Sequence, residues 1–231
     1  MTRLRANSEQ AVVVRPIDAL IEFLGAGHGR LLDIGCGAGT LGEELLQRGY
    51  DVIGIDPFKE RGLRGRRLQA GAEAIPLKNE SFDIALFHWS LHHLPQERMA
   101  DALLEARRLL KKLGAIVVIE PEPVGTWQDV SQSFHDETTV QAMAAQAVNA
   151  MVEKDNYQRR TRYYLSEDCY ESFDRFVDEM CSLAYNRYSE IQVRHPDVQE
   201  AFESCWDGSI YRLRQRIRME ELSLSVAEGS G

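Results

Sequence analysis

The stretch Leu31 to Thr40, LLDIGCGAGT, decides the fold. Leu31, Leu32 and Ile34 form a short apolar run that reads as a buried strand, and Gly35, Gly37 and Gly39 stop it abruptly. The helix-period segment Leu41 to Arg48 follows at once. Glycines at such a strand-to-helix turn let the backbone approach a ligand closely where the helix presents unpaired N–H groups, so a nucleotide-like group is expected there.

Working outward, DVIGID (residues 51–56), FDIALFH (82–88) and AIVVIE (115–120) are further strand-like runs, separated by helical stretches such as Met99 to Leu110. This βαβ series, apolar on both faces, predicts an α/β fold with a doubly wound, Rossmann-like and mostly parallel sheet covered by helices on each side. Ile17, Leu20, Ile21 and Leu24 recur at helical spacing after Pro16, placing one helix before the sheet. Beyond Pro121, Val140, Met143, Ala144, Ala147, Val148 and Met151 mark an amphipathic helix inside a helical insertion or cap. YRLRQRIRM (211–219) alternates with a period of two and reads as an antiparallel last strand; its arginines are expected to pair with the protein's own acidic helices or to form a subunit interface. The expected organisation is one domain over residues 1–231, with the core at about 16–122 and 205–222 and the cap at about 123–204. The tail from Ser223 has little to bury and is expected to be mobile.

Bulk composition narrows the function. The 231 residues carry 36 acidic and 27 basic side chains, a formal charge of −9, which argues against nucleic acid as a general partner because phosphate neutralisation dominates that affinity. No apolar run near the amino terminus is long enough for a secretory signal or a membrane span, so a cytoplasmic location is expected. The four cysteines, Cys36, Cys169, Cys181 and Cys205, form no CxxC pair and are expected to be free, mostly buried thiols.

Asp56 ends the second strand about 20 residues after the glycines, where a carboxylate can accept both hydroxyls of a ribose. It can equally cap the turn before Pro57. A dinucleotide site requires GxGxxG to start at the strand end, which is Gly35; the sixth position from there is Thr40, so NAD fits poorly.

With these motifs in order, the sequence resembles the class I S-adenosylmethionine-dependent methyltransferases of the DxGCGxG type, a group that acts on small molecules. The resemblance runs from Leu31 to Glu120 through LLDIGCGAGT, Asp56, AGAEAIPLKNESFDIALFHWSLHHL and RRLLKKLG before AIVVIEP. It implies S-adenosylmethionine as cofactor: Asp33 and the turn Gly35, Cys36, Gly37, Gly39 hold its methionine part, Asp56 with Pro57 grips the ribose, Ala72 and Glu73 border the adenine, and Phe87 and His88 face the methionine moiety. Two positions depart from the family pattern. Gly71 stands where relatives carry an Asp for the adenine amino group, a loss Glu73 could offset, and Lys112 to Ala115 replaces a turn with proline and paired glycines.

Methyl transfer needs alignment and exclusion of water, with a base only if the acceptor must lose a proton. His88, His92 and Glu120 are the candidate proton-handling residues, against the alternatives that the histidines shape the loop and Glu120 caps EPEP. A metal site from His88, His92, His93 and Glu120 is not expected, since adjacent histidines lack the HxxxH spacing of a helix-face site. Arg162, Tyr163 and Tyr164, with Arg159 and Arg160, suit an anionic or aromatic acceptor, although such a cluster also reads as a solvated helix end. The same holds for Lys59, Arg61, Arg64, Arg66 and Arg67. The leading reading is methyl transfer to a small-molecule acceptor under a lid formed after residue 122, with a homo-oligomer allowed; the alternative is a non-catalytic cofactor-binding or partner protein of the same fold, and an NAD-dependent oxidoreductase is a distant third.

Overall fold

Along β1 (Arg30–Ile34) successive side chains alternate between two cores: Leu32 and Ile34 join one apolar cluster and Leu31 the other. That alternation is why the motif reads as continuously apolar. The computed structural model describes residues 11–25, 29–58, 66–155, 157–183, 186 and 188–224. β1 pairs in parallel with β2 (Asp51–Asp56) and β4 (Phe82–His88), β3 (Arg67–Gln69) lies outside β2, and β5 (Leu110–Pro121) lies beside β4. The full order is β3-β2-β1-β4-β5-β7-β6, so the chain reverses direction across the sheet between β1 and β4. In open α/β sheets a ligand sits at the carboxyl ends of the strands beside that switch point.

Helices α1 (Pro16–Leu24) and α2 (Thr40–Gln47) cover one face, and α3 (Gln96–Leu109) and α5 (Thr138–Asp155) the other. Proline at the first turn of α1 costs no hydrogen bond, and Gly25 at φ 79° ends the helix. The expected antiparallel last strand is β7 (Tyr211–Leu224), inserted between β5 and β6.

The segment 123–204 is not helical throughout. Between α4 (Thr126–Ser131) with α5 and the helices α6 (Phe173–Ser182), α7 (Glu190–Val193) and α8 (Pro196–Glu203) runs β6 (Tyr157–Tyr170), paired with β7 along its whole length. RRTRYY is therefore strand, not a solvated helix end. Tyr164 alternates into the core while Arg159 and Arg160 stay at the surface and pair with Glu220 and Glu221 of β7. Helices α4, α6 and α8 enclose an aromatic cluster of their own, with Phe176 and Phe202 at its centre and Tyr170 of β6 beneath them.

The arginines of β7 also differ from expectation. Arg212 and Arg214 bind Glu167 of β6, and Arg216 and Arg218 bind Glu122 just after β5, so within the chain they pair with flanking strand ends rather than with helices. Ser223 and Leu224 belong to β7; residues 225–231, like Lys59, Arg61 and Arg64, lie outside the described residues. Lys112–Ala115 continue β5 where its register against β4 shifts between Phe82 and Ile84. All four cysteines are free, but Cys169 and Cys181 are exposed and only Cys205 is fully buried. Among the described residues no helix is long and apolar enough to cross a membrane.

Candidate active site

The glycine turn takes its shape from three left-handed residues, Gly35, Gly37 and Gly39, at φ 78°, 50° and 83°. At Gly35 a side chain would also collide with Cβ of Ser90, which leans across from the end of β4 and donates its hydroxyl to the Ile34 carbonyl at 2.6 Å. At Gly37 the space a side chain would fill is open, with no atom of the described residues within 4 Å. The turn is pinned by the N–H groups of Gly35 and Cys36, which both donate to the Ile55 carbonyl.

Asp33 is 2% exposed, and what acts on its carboxyl is burial and a like charge, with no basic group among the causes. Burial, and then the nearby charge of Asp56, push its pKa up to about 7. Cys36 beside it is raised to about 11, first by burial and then by Asp33. A buried carboxyl beside a like charge at the mouth of a glycine turn is what an ammonium ligand would satisfy.

Both oxygens of Asp56 have partners within the chain. Its Oδ2 accepts from Gly37 N–H at 2.9 Å, and its Oδ1 accepts from Phe58 N–H and lies 3.0 Å from the Arg67 guanidinium. The turn-capping reading of Asp56 thus holds, and Oδ2 keeps acceptor capacity for a hydroxyl. Arg67, with only 6% of its side chain exposed, also donates to the Phe58 carbonyl at 2.7 Å. Sequence reasoning grouped it with a solvated basic run. The signal that separates it is position: β3 pairs with the end of β2, bringing Arg67 under the strand tip that carries Asp56. Arg66, its neighbour, instead binds Asp51 at the surface.

At the loop that carries Gly71, a Cβ at that residue would lie 2.8 Å from Glu73 Oε2, so the Glu73 carboxylate stands where a side chain of residue 71 would begin. Arg98 holds it there. Ala72 is buried in the core, and Pro57 presents its carbonyl to Gln69.

The Phe87 ring belongs to the apolar core and faces no ligand surface, a correction that follows from strand alternation at the end of β4. His88 follows it. Burial lowers its pKa to about 4, so the ring is neutral at physiological pH, and its Nε2 is buried with no hydrogen-bond partner among the described residues. Trp89 stacks on it at 5.4 Å and adopts φ 51°, a left-handed conformation that a bulky residue rarely takes. No sequence signal marks Trp89.

Glu120 and His92 do not point into open space. Glu120 Oε1 accepts from the N–H groups of Leu91 and His92, at 3.0 and 3.4 Å, and its Oε2 takes the His92 Nδ1 proton in a short bond. On the other side of the ring, Glu137 at the start of α5 lies 3.5 Å from Nε2. Burial by itself pulls the His92 pKa down, but hydrogen bonds to Glu120 and Glu137 outweigh it and hold the ring charged, at about 10. Burial pushes the Glu137 carboxyl up, and bonds from His135 and His92 more than reverse that, holding it well below the usual carboxylate range. A histidine fixed in its charged form between two carboxylates positions a loop; it is poorly suited to act as a base.

Arg162, Tyr163 and Tyr164 are not brought to this site. They lie on β6, four strands from β1 in the sheet order, with Tyr164 sealed in the core and Tyr163 under the Arg216 guanidinium.

Residues 32–118 match the family model described as a methyltransferase domain. Over 103 residues the chain is 32% identical to the uncharacterized methyltransferase YcgJ of Bacillus subtilis, spanning 39% of this chain and 40% of that protein. The crystal structure of YcgJ superposes with a TM-score of 0.56 at 17% identity, covering 91% of this chain and 98% of that one. A ubiquinone biosynthesis O-methyltransferase of Roseobacter denitrificans is 35% identical over 97 residues, covering 37% of this chain and 38% of that protein. The chain thus spans about two fifths of the length of the curated relatives it matches. Residues 32–118 form a methyltransferase domain of the class I, S-adenosylmethionine-dependent type, as the motifs implied.

Proposed function

We propose that this protein transfers the methyl group of S-adenosylmethionine to a small-molecule acceptor. The observation that carries the proposal is the buried Asp33 carboxyl beneath a left-handed glycine turn, inside the segment that matches the methyltransferase family. The residues fit the cofactor: Asp33 would take its ammonium, the open side of Gly37 its methionine chain, and Asp56 Oδ2 a ribose hydroxyl. Glu73, held over Gly71, would supply the adenine contact that the family draws from residue 71.

When bound, the cofactor supplies a sulfonium methyl that an acceptor atom takes by in-line displacement. The protein's part is alignment and exclusion of water. Asp33 and Asp56 would fix the two ends of the cofactor, and Ser90 and Trp89 shape the wall between the glycine turn and the end of β4. Neutral His88, with its free Nε2, is the residue placed to accept a hydrogen bond or a proton from the acceptor. Glu120 and His92 act through the loop they hold rather than on the acceptor. The likeness to the ubiquinone O-methyltransferase supports a small organic acceptor, and the charge of −9 supports the absence of a nucleic-acid partner. A cytoplasmic location belongs to the same proposal.

Calorimetry with S-adenosylmethionine or S-adenosylhomocysteine tests the reading at its first step, and absence of binding ends it. Arg67 on Asp56 and glycine at 71 favour a second reading, a cofactor-binding protein without turnover. A melting shift with cofactor but no methylated product across a broad acceptor panel would select it.

A further inference from the structure

The β4–α3 loop and the α4–α5 loop bring three histidines onto one carboxylate. His92 Nε2 lies 3.5 Å from Glu137 Oε2, His93 Nδ1 lies 3.8 Å from Glu137 Oε1, and His135 Nε2 lies 3.2 Å from the same oxygen. The donor atoms of His92, His93 and Glu137 all fall within 4.8 Å of one another. Two of the three separations exceed an ordinary hydrogen bond. They fit better as edges of a coordination polyhedron, since ligands bound tetrahedrally at zinc–nitrogen and zinc–oxygen distances stand about 3.4 Å apart.

We propose that His92, His93 and Glu137, with His135 held against the same carboxylate, form a binding site for a divalent transition-metal ion of the zinc type, which ties the start of α5 to the loop after β4.

Three observations support it independently. The donor set of imidazoles with one carboxylate suits zinc and neighbouring ions rather than magnesium or calcium, which prefer oxygen. The Nδ1 side of His92 is taken by Glu120, which leaves Nε2 as the only ring atom that can face the ion; a carboxylate behind a histidine ligand is the arrangement that fixes ligand orientation in metal sites. His135, 3.2 Å from Glu137, is braced edge-on by the Tyr188 ring at 5.3 Å, and His92 and His93 stand 4.2 Å apart between centroids. The ion replaces the proton between His92 Nε2 and Glu137. His93 keeps 54% of its side chain exposed, which gives the ion a route in from solvent.

The three donors come from two loops more than 40 residues apart, which is why no HxxxH spacing announces them. The site does not depend on cofactor binding, so its test stands apart from that of the methyl-transfer reading. The intact protein, stripped with a chelator, is titrated with Co2+ alone, followed by visible absorption and then by displacement with Zn2+. The expected result is one equivalent of Co2+ with the intense bands of four-coordinate cobalt, quenched by zinc, and a rise in melting temperature with either ion. His93→Ala and His135→Ala, both at partly exposed positions, should each weaken binding by about tenfold or more while leaving the metal-free melting temperature close to that of the parent. Absence of the cobalt bands at millimolar metal overturns the proposal. So does undiminished binding by the two variants, which would mark an adventitious ion.

Discussion

Two pairs of acidic residues at the carboxyl end of the sheet are treated in opposite ways. Glu120 and Glu137 face one another across His92, which carries the compensating charge, bonded to Glu120 and 3.5 Å from Glu137. Asp33 and Asp56 also share a site, but Arg67 pairs with Asp56, while Asp33 lies buried beside that like charge. The closed pair lies where the cap meets the core and holds two loops together. The open pair lies under the glycine turn, and its uncompensated carboxyl awaits a positive group from a ligand. An unbalanced charge therefore marks binding here better than a charged cluster does.

The largest effect should come from breaking the closed pair. Glu120→Ala leaves the charged His92 with one partner and the Leu91 and His92 N–H groups with none, and removal of one member of a buried pair costs about 3–5 kcal/mol. Denaturant unfolding measures it. A loss below 1 kcal/mol would mean that water replaces the carboxylate and that the junction is not closed.

Gly35→Ala should follow, costing about 3 kcal/mol from the left-handed backbone and the collision with Ser90, together with loss of cofactor binding. Unfolding and calorimetry on the same variant give both numbers. A stable variant that still binds cofactor would show that the turn relaxes and does not cradle it.

The open pair has a sign that the closed one lacks. The Asp33 pKa is raised from 3.8 to about 7, so the folded protein favours the neutral carboxyl. Stability contributed by that preference is present below pH 4 and is lost as the pH climbs to 7, up to a ceiling of about 4 kcal/mol, after which the curve is flat. Asp33→Asn should match the parent near pH 4, exceed it in stability at pH 8, and lose cofactor affinity by about 100-fold through the missing charged hydrogen bond. Melting curves across this range check it, and parallel curves for parent and variant would show that Asp33 is compensated after all. The smallest effect belongs to Glu73→Gln, about fivefold weaker cofactor binding for one neutralised hydrogen-bond acceptor. No change would separate Glu73 from the adenine and leave Gly71 without a substitute.

The same contrast explains what the amino-acid sequence discloses. Everything set by local spacing could be read from it: the strand into Gly35, the turn to Thr40, Asp56 at the next strand tip, and the alternation of Tyr211 to Met219. What depends on side chains meeting across the fold could not. Glu137 reaches His92 only because α5 packs over α3, and Arg67 reaches Asp56 only through the parallel pairing of β2 and β3. The tyrosines and arginines of β6 misled for a related reason: surface arginines that pair with Glu220 and Glu221 look, in sequence, like a solvated helix end. Phe87 was assigned to the cofactor by its place near the strand end, but alternation turns its ring into the core and leaves His88 and Trp89 at the site.

The most direct test is calorimetric titration of the parent and Asp33→Asn with S-adenosylhomocysteine at pH 6 and pH 8. The account predicts one site in the parent, with binding about tenfold tighter at pH 8 because Asp33 must ionise to hold the ammonium, and little pH dependence in the much weaker variant. Equal affinity of parent and variant at both pH values, or no binding by the parent, would contradict it.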